Sequence, residues 1–315
     1  MKIHHAFEPR PADARPLVLA IGFFDGFHLG HRQILRTLLE QRRPGYRAAA
    51  ITFQNHPARY LRPGTEPPLI TTCEERVNLL ASTGIDELYL IPFDARLAQV
   101  DARAFLEETI VGKLRARALV FGENFRFGAG RAGDPSLARE VLGARDVALH
   151  VAPPFMRDGS RVSSTRIREA LVAGDLATAN ALLGEPYTLS GRVVLGEGRG
   201  HDLGFPTANL AVPPAKLVPK DGVYAIAGRF DGRDYNGLAS IGTKPTFEGV
   251  NRTIEAWLLD FHHTIYGHEL VLRDFRFIRD QRKFASVDEL VAQMQADAAH
   301  APFPSYSGTK TPPAL

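Results

Sequence analysis

Apolar positions along this chain follow two different patterns, and the change between them comes near residue 185. From residue 17, short apolar runs read as buried strands: LVLAIGF (17–23), RAAAITF (47–53), ELYLIPF (87–93), RALVFG (117–122) and VALHVA (147–152). Helix-length segments separate them: HRQILRTLLEQ (31–41), CEERVNLLAST (73–83), ARAFLEETIVGKL (102–114) and SLAREVLG (136–143). The second of these starts after Thr72 with Glu75 three residues on, a capping box, and stops at Gly84. Repeated strand–helix alternation predicts a parallel sheet covered on both faces. STRIREALVAG (164–174) and LATANALLG (176–184) add two more helices.

After Pro186 the strands follow one another directly. YTLSGRVVLG (187–196), GVYAIAGRF (222–230), YNGLASIG (235–242), TIEAWLLDF (253–261) and ELVLRDFRFI (269–278) are strand-like, and Asp231-Gly232 marks a tight hairpin. This pattern predicts an antiparallel sheet or small barrel. A last helix is announced by Ser286 and Glu289, with Val287, Leu290, Val291 and Met294 as its apolar stripe. The expected organisation is therefore an α/β domain over 1–185, a β-barrel with a terminal helix over 186–300, and a flexible Pro/Ser/Thr-rich tail over 301–315.

At 315 residues the chain is long enough for two domains. A formal charge of +3 argues against a nucleic-acid partner, although Arg outnumbers Lys 31 to 7. Cys73 is the only cysteine, which excludes an internal disulfide and a thiolate metal cluster. No run approaches the roughly 18 apolar residues of a membrane span, so the expectation is a cytoplasmic protein without a membrane partner. The sequence leaves the oligomeric state open.

Candidate chemistry begins at GFFDGFHLGH (22–31), which leaves the first strand and enters a helix. Such a loop lies at the carboxyl edge of a parallel sheet, where its glycines admit a ligand and the helix start attracts anions. His28 and His31 meet on one side of the first turn and could donate to phosphate oxygens as a phosphoanhydride breaks. Zinc would need three or four ligands, and HxxH supplies two. The phosphate-facing candidates here are Gly22, Phe24, Asp25, His28, Gly30 and His31.

This segment resembles the HxGH-type signature of the nucleotidylyltransferases, a resemblance that implies a Rossmann-like fold. That superfamily completes its triphosphate site with a Ser/Thr-Arg motif, which SSTRIREAL resembles through Ser164, Thr165 and Arg168. FGENFRFG (121–128) is similar to the segment that lines the flavin and nucleotide site in bacterial FAD synthetases, which implies flavin contacts for Asn124 and Phe125. In ITFQNHP (51–57) that family usually has an acidic residue where Gln54 or Asn55 stands.

The second constellation is GEGRGHDLGFPTANL (196–210). Gly196, Gly198 and Gly200 suit a phosphate-facing loop. In an extended segment Thr207 and Asn209 point the same way, and a hydroxyl with an amide oxygen suits Mg²⁺ carried on a nucleotide. Alternation in TIEAWLLDF puts Glu255 on one face with Trp257 and Leu259, a general-base candidate among apolar neighbours. GFPTAN with DGVYA, SIGTKPTF and IEAWLLDF resembles the riboflavin kinase domain. The resemblance implies Thr207 and Asn209 on Mg²⁺–ATP and Glu255 as base for the ribityl hydroxyl; Lys244 stands where that family often has Arg. His4-His5 and His262-His263 read as solvated pairs.

Residues 15–300 resemble, in order, the bifunctional riboflavin kinase/FAD synthetases of bacteria. The implied partners are ATP, riboflavin, FMN and FAD, with Mg²⁺ accompanying ATP. Two other readings stay open. One is an adenylyltransferase for another phosphorylated acceptor fused to an unrelated barrel. The other is a flavin-binding regulator that kept the fold.

Overall fold

Leu17, Leu19 and Ile21 pack into one apolar core, whereas Val18 and Ala20 pack into another. Side chains of a strand alternate between faces, so one run of five apolar residues must bury both. The computed structural model, which describes residues 1–196, 205–246 and 249–303, shows the sheet that results. Its six parallel strands are β1 (Lys2–His4), β2 (Leu17–Ile21), β3 (Arg47–Phe53), β4 (Glu87–Ile91), β5 (Ala116–Gly122) and β6 (Ala148–Ala152), in the order β1-β4-β3-β2-β5-β6.

Helix α1 (Leu29–Glu40) buries Leu35 and Leu38 in the Val18 core, joined by Leu80 of a later helix over Cys73–Ala81. Between them α2 (Ala58–Leu61) follows β3, so the helix over Cys73–Ala81 is α3. The predicted capping box starts α3: Thr72 Oγ1 accepts from Glu75 N–H (3.1 Å) and Glu75 Oε2 accepts from Thr72 N–H (2.7 Å). The opposite face is covered from 102–113 and from 135–143. A short α4 (Ala95–Ala98) precedes α5 (Ala102–Ala104), which runs on as a π-helix through Phe105–Lys113; α6 spans Pro135–Gly143. The π-helix replaces the regular helix expected there, and Phe105 at its start faces the cavity described below.

One strand was not expected. Residues 2–4 form β1 on the sheet edge, and His4 is not solvated: its Nε2 lies 3.0 Å from Glu87 and its ring stacks on Tyr89 at 4.6 Å. Burial alone would raise the Glu87 carboxyl. The hydrogen bond and charge of Arg10, with the fields of His4 and Arg47, outweigh it and hold Glu87 below the ordinary carboxylate range. His5, His262 and His263 are exposed, as expected.

A small hairpin, β7 (Met156–Arg157) and β8 (Ser160–Arg161), precedes α7 (Ser164–Ala173) and α8 (Leu176–Leu183). Among the described residues, internal contacts divide the chain into one unit over Met1–Ser164 and a second that starts at Thr165. The two helices belong with the second because the barrel region holds them. Lys220 N–H donates to the Leu171 carbonyl (3.1 Å), and Tyr187 N–H donates to Asn180 Oδ1 (2.7 Å).

The second unit is a closed antiparallel barrel. Its strands are β9 (Thr188–Val194), β10 (Ala208–Ala211), β11 (Gly222–Phe230), β12 (Arg233–Thr246), β13 (Gly249–Leu258) and β14 (Glu269–Arg279), in the cyclic order β10-β13-β12-β11-β14-β9. Asp231 and Gly232 join β11 to β12 with φ of 48° and 74°, the paired left-handed residues of a type I′ hairpin. Helix α9 (Val287–His300) closes the unit; Ser286 caps it by accepting from Glu289 N–H (3.2 Å). Its stripe is only half covered, Val287 being exposed. Its one buried side chain is instead Asp297, which accepts from the Arg279 guanidinium at 2.8 Å. The expected tail lies largely outside the described residues.

Candidate functional site

In the first unit the loop between β2 and α1 carries backbone strain. Phe24 and Phe27 have φ of 58° and 41°, a left-handed region that bulky residues avoid unless their surroundings impose it. Both rings are buried, which holds them there. Phe24 can therefore offer a ligand only its backbone. Asp25, expected at the phosphates, lies under the loop as its anchor. Its carboxylate accepts from Ile70 N–H (3.2 Å), Thr71 N–H (2.9 Å) and the Thr71 hydroxyl (3.1 Å).

His28 is the N-cap of α1, and its Nδ1 accepts from His31 N–H at 3.3 Å. An acceptor Nδ1 leaves the proton of the neutral ring on Nε2, which makes Nε2 the donor. The two imidazoles stack at 3.6 Å and 15°, so the pair meets as the spacing required. Gly30 explains its own identity: a Cβ there would lie 3.1 Å from the His28 ring. Ser164, at the start of α7, donates its hydroxyl to the Asp25 carbonyl (3.0 Å), which brings Ser164 to the histidine loop. Thr165 is exposed at the same helix start, and Arg168 lies one turn beyond Ser164.

Burial pushes the His31 imidazole well below the ordinary histidine range, and the positive fields of Arg76 and Arg161, with that of His28 when its ring is protonated, add to this. It is therefore neutral at pH 7. As pH falls through the ordinary histidine range the unfolded chain takes up a proton that the folded chain refuses, so stability declines. We expect imidazole NMR to show His31 neutral throughout that range. His31→Gln should remove this part of the pH slope in denaturant unfolding.

Beside this loop, at the carboxyl ends of β2, β3, β4 and β5, lies an apolar cavity of about 280 Å³. Phe23, Phe53, Phe93, Phe105, Phe125 and Phe127 supply aromatic walls, and Asn124 and Arg126 stand among its polar lining. Phe125 and Phe127 stack at 5.9 Å. Thus FGENFRFG does face a concave site, at the edge where α/β sheets bind ligands. Gln54 and Asn55 are not among the residues that line it. Asn55 clamps the Phe93 backbone, donating to its carbonyl (2.8 Å) and accepting from its N–H (3.1 Å), and Gln54 donates to the Leu90 carbonyl (3.4 Å). Larger hollows, near 580 and 460 Å³, sit where β3 and β4 begin, away from this chemistry.

In the barrel, β10 runs between β9 and β13, and Asn209 is paired in register with both Val194 and Glu255. Directly opposed residues share a face, so the amide and the carboxylate meet although 46 positions separate them. Ile254, Ala256 and Leu258 are buried on the other face, as alternation predicted. Trp257 follows Glu255 on its own face, with Phe205 edge-on at 4.8 Å. A Cβ at Gly196 would fall 2.0 Å from the Asn209 amide nitrogen, so backbone lies directly over that side chain. Gly198, Gly200 and the Lys244 side chain lie outside the described residues.

The comparison with known proteins covers both units. A family model described as FAD synthetase matches residues 10–166, and one described as riboflavin kinase matches 183–302. A protein of Escherichia coli strain K12 named bifunctional riboflavin kinase/FMN adenylyltransferase is 38% identical over 89% of this chain and 90% of its own. The chain belongs to that family. Its Bacillus subtilis member is 34% identical over 95% of this chain and 94% of its own. A solved structure titled macrolide-efflux protein from Streptococcus pneumoniae superposes with a TM-score of 0.85 at 30% identity, covering 97% of this chain and all of that one. Among the described residues no helix is long and apolar enough to cross a membrane.

Sequence reasoning missed several side chains around the synthetase-like site. Arg76 and Arg161 act on His31, and Phe23, Phe53 and Phe93 wall the cavity. The aromatic residues had a usable signal, since each ends or follows a strand at its carboxyl edge. Arg76 had none, because an arginine in an amphipathic helix ordinarily reads as solvated.

Proposed function

We propose that this chain makes both flavin cofactors: ATP-dependent phosphorylation of riboflavin to FMN and ADP, then adenylylation of FMN to FAD with release of pyrophosphate. The first reaction is assigned to residues 186–300 and the second to 1–185. What supports the reading is that the FAD synthetase model matches residues 10–166 and the riboflavin kinase model residues 183–302, the two stretches in which the two motif sets lie. A regulator that had lost activity would have no need to keep His28, His31, Thr207, Asn209 and Glu255 together. An adenylyltransferase for another acceptor leaves the riboflavin kinase match unexplained.

In the kinase, Glu255 accepts the proton of the riboflavin 5′-hydroxyl as that oxygen attacks the γ-phosphorus. The residue types fit a hard cation: a Thr207 hydroxyl, an Asn209 amide whose side chain lies against the Gly196 backbone, and the Glu255 carboxylate in register with it. Thr207 and Asn209 would hold Mg²⁺ arriving with ATP, which supplies neutralisation of phosphate charge. Gly196 would face the phosphates; Gly198 and Gly200 are assigned there from the motif alone and lie outside the described residues.

In the synthetase, the FMN phosphate attacks the α-phosphorus of ATP. That nucleophile is already ionised, so catalysis rests on alignment and on donors aimed at the growing charge. His28 donates from Nε2, with His31 and Ser164 beside it and Gly22 and Gly30 giving the loop room; Thr165 and Arg168 are assigned to the phosphates from the Ser/Thr-Arg motif. The aromatic cavity takes the flavin, with Asn124 and Phe125 at its rim. Both reactions consume ATP, which fits action in the cytoplasm.

The test is incubation with riboflavin, ATP and Mg²⁺, with flavins separated by chromatography over time. FMN should rise first and FAD after it, and a chelator should stop the kinase step. FAD without an FMN phase, or no FMN from riboflavin, would contradict the reading.

A further inference from the structure

Arg76 is fully buried, in the second turn of α3. Its Nη2 donates to the Phe53 carbonyl at 2.6 Å, where β3 ends. Its guanidinium lies 4.3 Å from the centre of the Phe23 ring. Among the described residues its Nε and Nη1 find no acceptor. Asp25 and Cys73 attract it through their fields, but the Asp25 carboxylate is already bonded to Ile70 and Thr71. Taking a guanidinium out of water with so few partners is costly. A leucine or methionine would fill the same space between helix and sheet without that cost. What an apolar residue would not give is a flat cation stacked on Phe23 and tied to the end of the neighbouring strand.

Phe23 is held from other sides as well. Its carbonyl accepts from the Thr52 hydroxyl (2.9 Å), and the His56 ring meets it edge-on at 4.6 Å. His56 in turn is fixed by Ala58 N–H, which donates to its Nδ1 (3.0 Å). Phe23 and Phe53, the two residues that Arg76 touches through ring and carbonyl, both line the aromatic cavity. One buried side chain therefore packs on the ring of one cavity wall and ties down the backbone that carries the next.

We infer that Arg76 is a positioning residue for the flavin: it sets the plane of Phe23, and Phe23 is a wall against which the flavin ring lies. The inference rests on the reading that this cavity takes FMN. Arg76 itself touches no substrate. Lysine in its place keeps the charge but loses the planar stack, so Arg and Lys differ here.

A double-mutant cycle with Phe23→Leu and Arg76→Met tests this, read as KM for FMN, KM for ATP and kcat of FAD formation. The rate of FMN formation from riboflavin is the control that the chain is folded. Each single variant should raise KM for FMN about tenfold, the scale of a desolvated cation–π contact. KM for ATP and kcat should stay within about twofold. The double variant should be no worse than either single variant within about twofold, because both remove one wall. Arg76→Lys should fall between wild type and Arg76→Met, and its effect should vanish in the Phe23→Leu background. If Arg76→Met fails to fold, that lysine cycle stands in its place. Multiplying effects in the double variant, or a loss of kcat with KM for FMN unchanged, would overturn the role of Arg76 while leaving the flavin cavity intact. A Phe23→Leu variant with unaltered KM for FMN would overturn the flavin cavity itself.

Discussion

Replacing His28 with alanine is expected to stop FAD formation while FMN still accumulates from riboflavin and ATP. The imidazole sits at the helix start with Nδ1 occupied by the His31 N–H, so Nε2 is its donor toward a phosphate oxygen. Removing one donor of this kind costs on the order of 10²–10³ in kcat. It also takes away the ring on which His31 stacks at 3.6 Å, so the loss should lie at the upper end of that range. Chromatography of the flavins over time gives the answer, with FMN production as the internal control. Equal loss of both steps in a folded variant would place His28 outside a dedicated synthetase site.

The complementary variant is Glu255→Gln. It keeps the shape of the side chain and its place opposite Asn209, but glutamine has no carboxylate to take the ribityl proton. FMN formation from riboflavin should fall by roughly 10²–10⁴, the usual contribution of general-base catalysis. Conversion of supplied FMN to FAD should proceed at the wild-type rate. The substitution is close to isosteric on a half-buried outer face of the barrel, and Ile254, Ala256 and Leu258 keep the interior packed. A thermal melt near that of the wild type separates lost chemistry from lost structure.

The fold was legible wherever the pattern was local. The LVLAI run between helix-length segments reads as a strand buried on both faces, and it is one. Thr72 with Glu75 states where α3 begins, and Asp231-Gly232 states how β11 turns into β12. His28 and His31 meet because a helical turn leaves residues three apart side by side. Legibility ended where the partner lies far away in the chain. The three residues of β1 carry no period, and their place beside β4 is decided by a buried Glu87 drawing in His4 and Arg10. Asn55 was read as a position lacking an acidic group, yet its work is to clamp Phe93, 38 positions on. Arg76 was silent for the same reason: only the meeting of α3 with the ends of β2 and β3 turns it toward Phe23 and Phe53. Asp25 is a further case: the loop it stands in points to phosphate, and its carboxylate also accepts from the turn at Ile70–Thr71, 45 and 46 positions on.

The central claim is a division of labour between two independent sites in one chain, and mixing the two variants tests it most directly. His28→Ala alone should turn riboflavin into FMN and stop. Glu255→Gln alone should leave riboflavin untouched. Combined in one vessel with riboflavin, ATP and Mg²⁺, they should make FAD, because FMN released by the first is adenylylated by the second. FAD from either variant alone, or none from a mixture in which Glu255→Gln still converts supplied FMN and His28→Ala still makes it, would contradict the account.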